Sequence, residues 1–275
     1  MTSTQSPATE ITRPDAPTLV SEADGVLTIA VSAAGAGNSL DDDGIAAGTQ
    51  ALREVARGRR DVGAVLLVGA GKNFCAGGNV RAFAAADDRP TYLRLIADNF
   101  HAFVAALYEA DVPVVAAAKG WSAGAGMSLV LHADVAIGGT SSKLRPAYRG
   151  IGLTPDGGLT WTLPRVVGAA RARQIILTDR VLSADDALNW GIFSEIVADE
   201  DVETVARATA EKIAAGPRSA DSGTKHLLSV SSENSLLEQL ALEGRSISER
   251  SGLAEGIEGV DAFVGKRAPE FGKTR

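Results

Sequence analysis

The chain has 275 residues, 45% of them hydrophobic and 22% charged, enough to enclose a full core and too apolar for global disorder. A net charge of −7 without a Lys/Arg cluster argues against a nucleic-acid partner, and no stretch reaches the roughly 20 apolar residues of a bilayer span, so no membrane is expected either. A single cysteine, Cys75, excludes an intramolecular disulfide and a multi-cysteine metal site, and thirty glycines without a three-residue period exclude collagen and point to tight turns and close backbone approach.

Residues 1–17 are polar, lack the apolar run of a secretory signal and read as a flexible tail, which makes a cytoplasmic location the expectation. TLVSEADGVLTIAVS predicts a hairpin turning at Asp24-Gly25. Residues 41–60 carry acids first and Arg57, Arg59 and Arg60 last, the polarity of a helix. VGAVLLVG (62–69) predicts a strand buried on both faces, followed by an amphipathic helix over 91–110. A second buried strand is expected over 112–120, a helix over 124–134 and a third strand over 134–139. Alternating strands and helices imply an α/β fold with a mostly parallel sheet. From about residue 169 the chain reads as mainly helical, apart from a short apolar segment at Ile192–Val197. Residues 18–200 are therefore expected to form the core and 201–275 a C-terminal helical region.

Three motifs bear on chemistry. Gly120-Trp121-Ser122-Ala123-Gly124 fits G-x-S-x-G between a strand and a helix, the setting of a serine-hydrolase nucleophile; the available histidine is His226, because His132 follows too closely. The plainer reading is that small residues let the helix approach the sheet. GAGKNFCAGGN (69–79) has neither Walker A nor G-x-G-x-x-G spacing, so a dinucleotide site is poorly supported. GAGKNFCAGGN and a third stretch, SAGAG (122–126), each follow a strand at the same end of one sheet. Their free backbone N–H groups can converge on one oxygen, which is an oxyanion hole made of backbone.

Five collinear stretches then carry a resemblance. VGAGKNFCAGGNV, KGWSAGAGMSLVLHAD, RGIGLTPDGGLTWTLPRVVG, LTDRVLSADDALNWGIFSEIV and FVGKRAPEF resemble successive motifs of the crotonase superfamily, the enoyl-CoA hydratase/isomerase family, from about residue 60 to the C-terminus. The resemblance implies a crotonase-like spiral of repeated ββα units, an acyl-CoA thioester as substrate, and a homotrimer or dimer of trimers. It implies no separate cofactor, coenzyme A being part of the substrate; no His/Cys/carboxylate cluster in the sequence suggests a metal.

By motif position, the N–H groups of Gly78 and Ala125 would hold the thioester oxygen, with Ala76, Gly77, Asn79 and Gly124 around the substrate. Where hydratases of the family place two glutamates, this chain has Ser128 and Tyr148. Asp156 matches the aspartate base of isomerases similar to the epoxide and 3-enoyl-CoA isomerases of phenylacetate degradation, so double-bond isomerisation is expected. An aspartate before a helix can also be a plain N-cap. A 4-chlorobenzoyl-CoA dehalogenase-like chemistry is the rival, with His101 at that family's histidine position and Tyr148 at its tryptophan position. Lys266 matches a basic position that contacts coenzyme A. Hydration in the broad sense, non-catalytic acyl-CoA binding and a serine hydrolase built on Ser122 are the remaining alternatives.

Overall fold

The computed structural model describes residues 19–274; the expected tail at 1–17 lies outside the described residues. The chain opens with strands β1 (Val20–Ala23) and β2 (Val26–Ala33), joined at Asp24 and Gly25. Both turn residues have positive φ, 52° and 72°, as a two-residue hairpin turn requires. Strand β3 (Ser39–Leu40) folds back on β2, and helix α1 (Asp42–Ala56) follows. Then come β4 (Ala64–Gly69), α2 (Val80–Ala85), α3 (Arg89–Glu109), β5 (Val114–Ala118), β6 (Trp121–Ala123), α4 (Ala125–His132) and β7 (Val135–Gly139). Strand β8 (Lys143–Arg145) leads to α5 (Leu159–Val167), α6 (Ala169–Thr178), β9 (Leu182–Ser183), α7 (Ala184–Asn189) and β10 (Glu195–Val197). Helices α8 (Val202–Ala214), α9 (Arg218–Val230), α10 (Leu236–Ser251) and α11 (Ala254–Val264) complete the chain.

The main sheet has the order β1-β2-β4-β5-β7-β10, and every neighbour from β2 onward is parallel. Each new strand of that series is laid against the one before it, which winds the chain forward as a spiral. A smaller sheet pairs β6 parallel to β8 and β8 antiparallel to β9. Nothing in the apolar patterning marked it, because its strands are two or three residues long.

The expected buried strands carry apolar residues on both faces. Val65 and Leu67 of β4 join Val114, Ala116 and Ala118 of β5 in one core with α1, α3 and α4. Ala64, Leu66, Val115 and Ala117 face the other way and pack with Val202, Ala206, Ala210 and Ala214 of α8. Alanine at every fourth position keeps α8 close to the sheet. Helix α8 thus belongs to the same core as the sheet although it follows residue 200, and the helices beyond the core begin at Arg218. Helix α3 begins two residues before its expected start, because Asp88 accepts the Thr91 N–H at 3.3 Å and Pro90 suits the first turn. No described helix is long and apolar enough to cross a membrane.

Replacing Ala206 with Leu inserts three heavy atoms between α8 and the sheet. Urea unfolding is expected to show a loss of about 1–3 kcal/mol; an unchanged midpoint would mean that α8 is not closely packed there.

Candidate active site

The segment after β4 and the strand β6 lie side by side. The Cys75 N–H donates to the Trp121 carbonyl at 3.1 Å, and the Ala123 N–H donates to the Cys75 carbonyl at 2.9 Å, a parallel bridge between Cys75 and Ser122. Further bonds pin the same loops: Leu40 N–H to the Gly77 carbonyl at 2.8 Å, Ala76 N–H to the Asn38 carbonyl at 2.7 Å, and Gly124 N–H to the Arg145 carbonyl at 3.0 Å. The approach leaves no room for side chains. A Cβ on Gly126 would stand 2.2 Å from the Cys75 carbonyl oxygen, and Gly77 and Gly124 hold positive φ of 98° and 54°.

Gly78 and Ala125 sit on these loops and line one cavity of about 340 Å³. No backbone acceptor among the described residues takes the N–H of Gly78, and Ala125 is the first residue of α4, where an N–H has no acceptor within the helix. Ala76, Gly77, Asn79, Gly124, Tyr148 and Asp156 line the same cavity. Asn79 also caps α2, accepting the Ala82 N–H at 3.2 Å.

Asp156 precedes α5 rather than starting it. Helix α5 is preceded by Gly158, whose φ is +79°, so the N-cap reading of Asp156 does not hold. Its carboxylate instead accepts a 2.6 Å hydrogen bond from the Tyr148 hydroxyl at Oδ1. Burial, and then the neighbouring Asp156 charge, push the Tyr148 phenol far above its ordinary pKa, so it stays a neutral donor.

Two expected substrate contacts are not in the cavity lining. Ser128 is buried, and its one hydroxyl proton has two carbonyls within reach, that of Asp156 at 3.2 Å and that of Gly124 at 3.4 Å. His101 accepts the Gly157 N–H at Nε2, 3.1 Å away, and is absent from the cavity lining. Lys266 is exposed just beyond α11 and away from the cavity of its own chain. Ser122 lies within β6, 1% exposed, with no partner for its Oγ, while His226 is exposed on α9; the serine-hydrolase geometry is not formed. Cys75 is a packing residue, its thiol pushed up to about 12 by burial.

Other cavity residues were not anticipated. Phe83, Tyr92, Ile96, Phe100 and Leu153 form an apolar wall, with the Phe83 and Tyr92 rings edge to face at 6.4 Å. Asp42 adds a second carboxylate, and burial together with Asp41 raises its pKa. Its run of three aspartates signalled only a helix start. The amphipathic pattern over 91–110 did not show that Phe100 would meet a ligand. Among the described residues no group of three His, Cys, Asp or Glu side chains could hold a metal. Two N–H donors, a hydrogen-bonded carboxylate and an apolar wall can stabilise an oxyanion beside a carbon acid.

Residues 21–274 match the family model for enoyl-CoA hydratase/isomerase. A "Probable enoyl-CoA hydratase" of Rhodobacter capsulatus is 39% identical over 78% of this chain and 83% of its own. The 1,2-epoxyphenylacetyl-CoA isomerase of Escherichia coli is 35% identical over 90% of this chain and 95% of its own. The crystal structure of an enoyl-CoA hydratase from a Polaromonas species superposes with a TM-score of 0.85 at 29% identity, covering 91% of this chain and 97% of that one.

Because Cys75 is fully buried with a raised pKa, a thiol reagent at pH 8 is expected to leave it unlabelled in the folded protein and to label it after denaturation. Fast labelling of the native protein would mean that the loop around residue 75 opens.

Proposed function

The chain belongs to the enoyl-CoA hydratase/isomerase family, and we propose that it shifts the double bond of an enoyl-CoA, or of a related ring-acyl-CoA, using Asp156 as base. The observation that carries this reading is the shared cavity of Gly78, Ala125 and Asp156. The two N–H groups would hold the thioester oxygen as C2 loses its proton, and each such donor is worth about 3 kcal/mol in the transition state. Asp156 would take that proton and return it at C4, so one base serves both halves. The Tyr148 hydroxyl fixes one carboxylate oxygen at 2.6 Å.

Ser128 and Tyr148, at the positions of the hydratase glutamates, offer no carboxylate to activate water. The relative named as a 1,2-epoxyphenylacetyl-CoA isomerase covers 90% of this chain, which supports the isomerase branch. The apolar wall suits an acyl group with few polar substituents. A dehalogenase-like route loses support because His101 Nε2 is engaged with the Gly157 N–H. Hydration of a 2-enoyl-CoA is the second reading, favoured by one observation: Asp42 puts a second carboxylate on the cavity wall.

The assembly we expect is a trimer or a dimer of trimers. Helices α10 and α11 leave Leu236, Leu237, Ile247, Phe263 and Val264 exposed, an apolar surface that supports self-association. Lys266 lies next to it, and assembly is what would bring this lysine to a coenzyme A phosphate.

Supplied with a 3-enoyl-CoA, the protein is expected to form the 2-enoyl-CoA and no 3-hydroxyacyl-CoA. Asp156→Asn should lower the rate about 100-fold or more, with Asp42→Asn within a few-fold of wild type. Formation of 3-hydroxyacyl-CoA that depends on Asp42 would establish hydration instead. Thioester binding without turnover would leave a binding protein.

Light scattering should give a mass of three or six chains, reduced by Phe263→Asp with Val264→Asp. A monomeric wild type would contradict the assembly.

A further inference from the structure

Asp156 stands in a segment, Thr154–Gly158, that has neither helix nor strand pairing. Its direction therefore depends on contacts made to the backbone around it. Gly157, the next residue, is held by both of its polar groups. Its N–H donates to His101 Nε2 at 3.1 Å, and its carbonyl lies 2.8 Å from His132 Nε2.

The chemistry of these partners fixes the two imidazoles. A carbonyl only accepts, so His132 Nε2 carries a proton. Its Nδ1 lies 2.9 Å from the Tyr108 hydroxyl, and a bare Nδ1 accepts the Tyr108 proton. An amide N–H only donates, so His101 Nε2 is bare and its proton is on Nδ1. The bonds to Gly157 thus put the accepting nitrogen of His101 and the donating nitrogen of His132 at the same ring position, Nε2, which gives opposite tautomers. Burial also holds the His132 pKa below its ordinary value, which agrees with a neutral ring.

Space points the same way. A Cβ on Gly158 would stand 2.8 Å from His132 Nε2, and one on Gly157 would stand 2.2 Å from the Phe100 ring. The loop is shaped to lie against these side chains, and both glycines hold the positive φ that such a fit needs. Ser128 adds a bond to the Asp156 carbonyl at 3.2 Å.

We propose that His101 and His132 are positioning residues that grip Gly157 from opposite sides and so aim the Asp156 carboxylate at the carbon next to the bound thioester. Neither touches the reacting atoms. Tyr108, on α3, bonds the other ring nitrogen of His132 at 2.9 Å and is itself 40% exposed, so it links the loop to the surface of that helix. The proposal rests on Asp156 being the base; the spectroscopic part of its test does not.

Long-range proton–nitrogen spectra of the histidine-labelled protein at pH 7.5 read the ring nitrogens directly, with His101→Gln and His132→Gln assigning them. His132 is expected protonated at Nε2 and His101 at Nδ1, and Tyr108→Phe should perturb His132 alone. In the isomerase assay His101→Leu and His132→Leu should each lower kcat about tenfold with KM nearly unchanged, the loss expected for one misplaced hydrogen bond. The glutamine variants should recover to within about threefold, since a glutamine amide can both accept and donate. Opposite tautomers in a wild type that shifts no double bond would uphold the grip on Gly157 and remove the isomerase reading. Equal tautomers, a charged ring, or leucine variants with wild-type kcat would overturn the proposal.

Discussion

The site depends on one short piece of backbone pairing. Cys75 exchanges two hydrogen bonds with the strand at Trp121–Ala123. These bonds tie the loop after one parallel strand to the loop after the next. Both segments leave this parallel bridge at the same end, Gly78 three residues after Cys75 and Ala125 two residues after Ala123. Both residues line the same cavity, and the bridge fixes their relative position. Preorganised donors of this kind stabilise charge without having to reorient during the reaction. The small residues follow from the same constraint: at Gly126, Gly77 and Gly124 the opposing backbone already occupies or borders the space a side chain would need.

A second constraint acts on the acid–base side. A carboxylate on an irregular loop has no strand or helix to aim it. Asp156 is reached instead by Tyr148 at its carboxylate, Ser128 at its carbonyl, and two histidines at the next residue. Ser128 and His132 come from α4, the helix that begins at Ala125. One helix therefore serves both halves of the site. Its N-terminus carries the proposed oxyanion donor and its later turns hold the loop of the proposed base. A displacement of α4 would be felt at both together.

The buried strands were legible because VGAVLLVG and VPVVAAA are apolar without alternation, and the structure fills both faces of each. The hairpin was legible from Asp24-Gly25, whose φ values only a few residue types accept. Gly78, Ala125 and Asp156 came from motif positions, and all three line one cavity. His101, Ser128 and Lys266 matched motif positions equally well but are not in the lining, since a one-dimensional pattern fixes a place along a helix and not the side facing a ligand. Asp42 and Phe100 were missed for a related reason. Each sits on a helix outside the five matched stretches, and only the tertiary fold brings it to the cavity.

The central claim is that two backbone N–H groups polarise one carbonyl. The most direct measurement is the infrared stretch of a carbon-13-labelled thioester carbonyl in an acyl-CoA bound to the protein, compared with the same molecule in water. The account predicts a band well below its frequency in water, and its return toward the solution value in Gly126→Ala, where the new methyl would force the Cys75 carbonyl away. A tightly bound thioester whose carbonyl band stays at its solution frequency would contradict it.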